Sequence, residues 1–248
     1  MREIERNRYF LKDSIRKRVD FSRTPQSMGV EAPPFEKPWP SDSERIDLPV
    51  RDWAELIDAN IVTCIRNLRS RRSYRDTPLG LDELSFLLWA TQGIRMMAGG
   101  SAFRNVPSAG CRHTFETYLA VFNVEGLDMG LYRYIPSTHQ LMVEYRDEDL
   151  PRRIIEATFN QSFTGNSAVT FIWTTIPYRM EWRYGLAAHR VILMDAGHVC
   201  QNLYLACEAI GAGTCGVAAY DQEYLDEVLG VDGVDEFAIY LAPVGKIR

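Results

Sequence analysis

Seven consecutive residues, Arg69-Ser70-Arg71-Arg72-Ser73-Tyr74-Arg75, hold four arginines and two serines. Guanidinium forks match phosphate oxygens bidentately, and hydroxyls add further donors. The chemistry this stretch suits is the capture of a phosphate-bearing ligand. A basic helix end in solvent has the same composition, because arginines also suit the negative end of the helix dipole. Spacing alone leaves both readings open.

Two glycine-containing turns come next. Gly211-Ala212-Gly213-Thr214-Cys215-Gly216 fits the G-x-G-x-x-G pattern of dinucleotide sites. That pattern carries its mechanism only after a strand and before a helix. Here it follows a long helical stretch and enters a short extended one, so a Rossmann site is rejected. A helix cap with a tight turn is expected, or a close approach of backbone to ligand. Val106-Pro107-Ser108-Ala109-Gly110 is a loop of small residues that can set amides and a hydroxyl against a flat ligand.

Hydrolytic machinery is missing. Ser108 lacks the G-x-S-x-G elbow, the four histidines show no triad spacing, and neither H-E-x-x-H nor a Walker loop occurs. The five cysteines are odd in number, scattered, and form no C-x-x-C pair, which favours a reduced, cytoplasmic compartment over a disulfide framework. His189, His198 and Cys200 share a helical stretch at spacings that turn them to different faces, so no metal site is expected. A phosphate site without acid–base machinery is the profile of a protein whose cofactor carries the chemistry.

The elements that must position these residues belong to an ordinary soluble chain. It has 248 residues, 46% hydrophobic and 25% charged, with a net charge of −5. That charge gives no support to nucleic-acid coating, and no apolar run approaches the roughly 20 residues of a membrane span. The charged N-terminus lacks the apolar core of a signal peptide. Residues 1–50 read as a basic, then Pro-rich, extended arm with Pro25, Pro33, Pro34, Pro38, Pro40 and Pro49, wrapping over the body or a partner. Residues 51–248 read as the folded domain.

Within that domain, Ile57, Ile61, Ile65 and Leu68 recur at helical spacing and predict a core-facing stripe. A second helix opens at 79–84, with Leu84, Leu87, Leu88 and Thr91 on one face, and ends at Gly93. A strand at 118–122 and a hairpin over 130–145 follow, then a helix at 150–163 and a buried strand at 168–176. Residues 184–210 predict one long helix, apolar nearly all round and therefore buried. A helix at 222–229 and a strand at 237–242 close the chain. This order is irregular and contains a hairpin, which argues for an α+β fold rather than a doubly wound sheet.

Three stretches and a short terminal one, RRSYRDTPLGLDELSFLLWATQGI, VPSAGCRHTFETYLAVFNVEGLDMGLYRY, the run from Tyr184 to Asp221, and PVGK, resemble the nitroreductase superfamily. Within it they are most similar to the SagB/ThcOx-type dehydrogenase branch. The resemblance spans roughly residues 55–246. It implies an α+β flavoprotein with a mostly antiparallel central sheet flanked by helices, and an intertwined homodimer with FMN at the subunit interface. It implies that Arg71, Arg72, Ser73 and Arg75 hold the FMN phosphate and ribityl chain. Pro107, Ser108, Ala109 and Gly110 would contact the flavin ring from the other subunit. Cys215, Gly216, Val217, Ala218 and Ala219 would lie along it, and Asn160 or Gln161 would read its pyrimidine edge. Lys246 and Arg248 would reach the phosphate.

Azoline-oxidising members of that branch carry a Lys-Tyr pair where this chain has Arg183 and Tyr184. These two are the catalytic candidates. Arginine stays protonated and cannot serve as a base as lysine can. The expected function is therefore an FMN oxidoreductase that takes reducing equivalents from NAD(P)H to a nitro- or quinone-type small molecule. The alternatives are dehydrogenation of an azoline or other peptide-derived substrate, and flavin binding without turnover.

Overall fold

The computed structural model describes residues 2–57 and 59–247. Nine strands occur among them: β1 (Arg45–Asp47), β2 (Ile94–Ala98), β3 (Ser101–Arg104), β4 (Phe115–Val121), β5 (Gly130–Ile135), β6 (Gln140–Arg146), β7 (Val169–Thr175), β8 (Ala212–Thr214) and β9 (Phe237–Lys246). Seven form one sheet in the order β1-β6-β5-β4-β7-β9-β8, and β2 and β3 form a separate hairpin. Every paired neighbour runs antiparallel. The helices are α1 (Glu3–Phe10), α2 (Trp53–Leu56), α3 (Ile61–Asn67), α4 (Leu81–Gln92), α5 (Leu150–Ala157), α6 (Tyr178–Tyr184), α7 (Ala188–Ala209) and α8 (Gln222–Leu229).

Every residue of β4 and β7 is buried, because both faces of the sheet are covered. Side chains alternate along a strand, so Leu119 and Val121 join one core while Tyr118 and Ala120 join another. The first core is packed by α4 and α7, the second by α5 and α8. Apolar runs without alternation are what two-sided burial requires.

The α4 reading holds. Leu84, Leu87, Leu88 and Thr91 are buried, Glu83 reaches back to the Gly80 N–H at 2.9 Å, and Gly93 follows the last turn. Four other expectations need correction. The long helix expected over 184–210 is one helix that begins later, at Ala188: Tyr184 is the last residue of α6, and Gly185, at φ 51° and ψ −134°, turns the chain between the two. Nor is α7 buried all round: Leu193 and Met194 are about half exposed. The stripe of Ile61 and Ile65 on α3 also faces outward, at 57% and 62% exposure, with Val62 beside it. Apolar spacing identifies a face that seeks burial, but not which surface will cover it. Finally, α5 stops at Ala157 rather than 163, because Phe159 and Asn160 adopt positive φ and turn the chain.

Where the leader is expected to be extended, α1 and short turns at 13–18 and 21–23 come first. Residues 24–44 carry no helix or strand. They lie over the chain's own body, tied down by buried arginines. Arg104 donates to the Phe35 carbonyl at 2.8 Å, and Arg133 to the carbonyls of Lys37 and Pro38 at 3.0 and 3.3 Å. Glu116 accepts the Lys37 N–H at 2.7 Å, and β1 then pairs with the edge of β6.

Candidate active site

The arginine stretch is not a helix end. α3 finishes at Asn67, and residues 69–75 run extended against the C-terminal strands. The Arg71 N–H donates to the Thr214 carbonyl at 2.9 Å and the Arg75 N–H to the Lys246 carbonyl at 2.8 Å. Tyr74 points inward, its hydroxyl donating to the carbonyls of Arg71 (2.7 Å) and Pro243 (3.2 Å). Burial first, then nearby thiols, pushes this phenol well above its ordinary range. With Tyr74 turned in, Arg72, Ser73 and Arg75 are exposed. No carboxylate lies within 4 Å of Arg72 or Arg75 among the described residues, and the Nε of Arg71 is buried without a partner.

The glycine turn completes this surface. A Cβ on Gly213 would lie 2.5 Å from the Arg71 Cγ, so only glycine lets the two segments meet. The Gly216 N–H donates to the Tyr204 hydroxyl at 2.8 Å, and Tyr204 also bonds Ser70 at 2.9 Å. Cys215 and Val217 are buried, while Ala218 and Ala219 are exposed. Gln161 donates to the Ala219 carbonyl at 3.0 Å, and the Arg72 guanidinium sits 5.7 Å over the Phe163 ring. Residues 70–75, 161–163 and 213–219 therefore converge. Asn160 is exposed at a turn. Lys246 is engaged elsewhere, donating to Glu83 (2.5 Å) and the Ile210 carbonyl (3.0 Å). Arg248 lies outside the described residues.

The proline–serine loop forms a second group. Ser108 donates to Asp195 at 2.6 Å, the Ala109 N–H donates to the same carboxylate at 3.1 Å, and the Ser108 oxygen accepts the His113 N–H at 2.9 Å. Burial raises the Asp195 carboxyl, and the Ser108 and Ala109 bonds oppose that rise. Gly110 has φ 58°, and its missing Cβ leaves room for the Arg183 side chain and the Tyr184 hydroxyl, each 2.7 Å from that position. The loop and the two catalytic candidates thus meet. Asp195 and Tyr204, which anchor the two groups, are nine residues apart on α7, or roughly 13 Å along its axis.

Sequence reasoning missed Tyr74, Tyr204, Phe163 and Asp195. Only Tyr74 carried a signal, its place inside the arginine stretch. The other three act through contacts between distant segments. His189 pairs with Glu181 at 2.8 Å, His198 is exposed and Cys200 is buried. No group of three metal-ligating side chains occurs among the described residues.

Comparison with known proteins decides the family. The nitroreductase family model matches residues 65–246. The chain belongs to the nitroreductase family. Members of this family are oxidoreductases, and the chain is one of them. Among curated relatives, this chain is 34% identical over 205 residues to "Putative nitroreductase MJ1384" of Methanocaldococcus jannaschii, covering 83% of the chain and 98% of that protein. It is 29% identical over 171 residues to the trifolitoxin-processing protein TfxB of Rhizobium leguminosarum bv. trifolii, covering 65% of the chain and 46% of that protein. Among solved structures, a nitroreductase-type protein from Anabaena variabilis superposes with a TM-score of 0.69 at 26% identity, covering 84% of this chain and 42% of that one. The expected α+β, mostly antiparallel nitroreductase fold is the fold observed. No described helix is long and apolar enough to cross a membrane.

Proposed function

We propose that the chain is an FMN-dependent oxidoreductase, reduced by NAD(P)H and passing hydride to a nitro- or quinone-type small molecule. The observation that carries this reading is the outward row of Arg72, Ser73 and Arg75, without carboxylate partners among the described residues and backed by the orphaned Nε of Arg71. Such a donor set fits a phosphate monoester. FMN, when bound, supplies the hydride chemistry. Arg71, Arg72, Ser73 and Arg75 would hold its phosphate and ribityl chain. Ala218, Ala219 and the backbone near Gly216 would line its ring, and Gln161 would orient the turn beside them. Tyr184 would hold a proton near the substrate.

The same reading takes the active form as a homodimer. The loop at 107–110 and the arginine surface stand roughly 13 Å apart along α7 within one chain. Leu193 and Met194 of α7 and Ile61 and Ile65 of α3 offer exposed apolar area for a second copy. Joining two chains brings the loop of one toward the arginines of the other.

A second reading, dehydrogenation of a peptide-derived substrate, has the likeness to TfxB in its favour. Arg183 weighs against it, since abstraction of a carbon-bound proton needs a base and guanidinium is none at neutral pH. The test is direct. Purified protein should be yellow, release FMN on denaturation, and bleach with NADH or NADPH without oxygen. A colourless protein that takes up no FMN overturns the flavin reading. Yellow protein that ignores both nucleotides but oxidises an azoline peptide selects the second.

A further inference from the structure

Beside the exposed Arg72 and Arg75, two half-buried arginines at the proline–serine loop lack a counter-ion among the described residues. Arg112 lies with its guanidinium 4.9 Å over the Trp182 ring, held by the Gly110 carbonyl at 3.3 Å and the Ser101 hydroxyl at 3.4 Å. Arg183 lies across the same Gly110, its guanidinium 5.7 Å from the Tyr184 ring. Both are half-buried, and neither has a carboxylate within 4 Å among the described residues. Arg104, buried and likewise without a carboxylate within 4 Å among the described residues, spends its N–H groups on Gln92 and on the carbonyls of Phe115 and Phe35. Arg133, Arg153, Arg179 and Arg190, also buried or half-buried, each have a carboxylate within 4 Å. Burial, then the charge of Arg183, lowers the pKa of Arg112, so the two guanidinium groups feel one another.

Holding two like charges together, partly out of water and without a counter-ion, is unfavourable. Aromatic faces hold each guanidinium plane from one side, and among the described residues the Nη1 of Arg112 and the guanidinium of Arg183 make no hydrogen bond. We propose that Arg112 and Arg183 clamp an oxyanion of the molecule that binds beside Gly110 and Tyr184, so that the enzyme prefers anionic substrates. Two molecules of the proposed reaction can bring an oxyanion there: an organic acceptor with a carboxylate, and a dinucleotide with an extra phosphate. This inference deepens the oxidoreductase reading and rests on the placement of the substrate at that loop.

The experiment uses the protein as purified, with its bound flavin. Calorimetric titrations compare benzoate with benzyl alcohol, and NADP+ with NAD+. At least one anionic member should bind tenfold or more tightly than its counterpart, and which pair shows it tells the source. Arg112→Gln and Arg183→Gln should each collapse that ratio below threefold, and Arg183→Lys should keep most of it. Flavin content, read by absorbance, should stay at the parent value in every variant. Equal binding within both pairs, or a ratio that survives both glutamine variants, overturns the proposal. Loss of flavin in the glutamine variants assigns the pair to the cofactor and also overturns it. The oxidoreductase reading fails separately: a flavin-free parent that still prefers benzoate keeps the clamp and removes the flavin.

Discussion

The backbone N–H of Arg71 donates to the Thr214 carbonyl at 2.9 Å, which makes the arginine stretch and the glycine turn one structural unit. Gly213 is the residue that allows it, since a Cβ there would stand 2.5 Å from the Arg71 Cγ. Gly213→Ala should therefore destabilise the fold by about 1–3 kcal/mol, the usual cost of overpacking, and lower flavin occupancy at the same time. Denaturant midpoints and flavin absorbance check both. A fully stable, fully yellow variant refutes the coupling.

Arg75→Ala tests the phosphate surface at an exposed side chain, and Arg71→Ala at a half-buried one that packs on Gly213 and stands 4.0 Å from the buried Glu208 side chain. Each removes a charge-assisted bond of about 1.5–3 kcal/mol, so FMN affinity should fall tenfold or more while the circular dichroism spectrum persists. Retention of flavin through gel filtration by both variants contradicts the assignment.

Burial, then Arg104, Arg112 and Arg179, pushes the His113 imidazole down to about 3 from an ordinary 6.5. The native state keeps this ring neutral between those values while the unfolded chain binds a proton. Stability contributed by the neutral ring is present above about pH 6.5 and is lost as pH falls toward 3, at about 1.4 kcal/mol per pH unit. His113→Asn should flatten the stability profile between pH 4 and 6.5. An unchanged slope shows that other groups set it.

Glu116 holds Arg179 at 2.6 Å, stands 3.6 Å from Arg133, and accepts the Lys37 N–H. Glu116→Ala leaves the buried Arg179 guanidinium without its carboxylate and Arg133 with Glu144 alone. It should cost about 3–5 kcal/mol, the range for breaking a buried pair from one side. Limited proteolysis should then cut near Lys37 sooner than in the parent. Unaltered stability and cleavage separate the leader from this network.

If the outward faces of α3 and α7 meet a second copy, Ile65→Glu with Met194→Glu should give a monomer in sedimentation velocity. Flavin occupancy should fall with dimer content. A parent that is monomeric with full flavin occupancy refutes the dimer.

By itself the sequence determined what local chemistry decides. The arginine stretch, the glycine turn, the proline–serine loop, the α4 face, the 130–145 hairpin and the buried strand at 168–176 were all legible as patterns of residue type and period. It could not say which apolar face would meet which surface. Ile61 and Ile65 have the spacing of core residues, yet lie outward on α3, because the α4 and α7 side chains already fill that core. Gly185 moves the start of the long helix from Tyr184 to Ala188, since a single positive φ outweighs the propensity of its neighbours. Contacts between distant segments belong to the tertiary structure alone: Tyr204 beneath Gly216, Asp195 holding Ser108, and Arg183 crossing Gly110. Each joins residues separated by ten to ninety positions, and no periodicity within a segment records where another segment will fold against it.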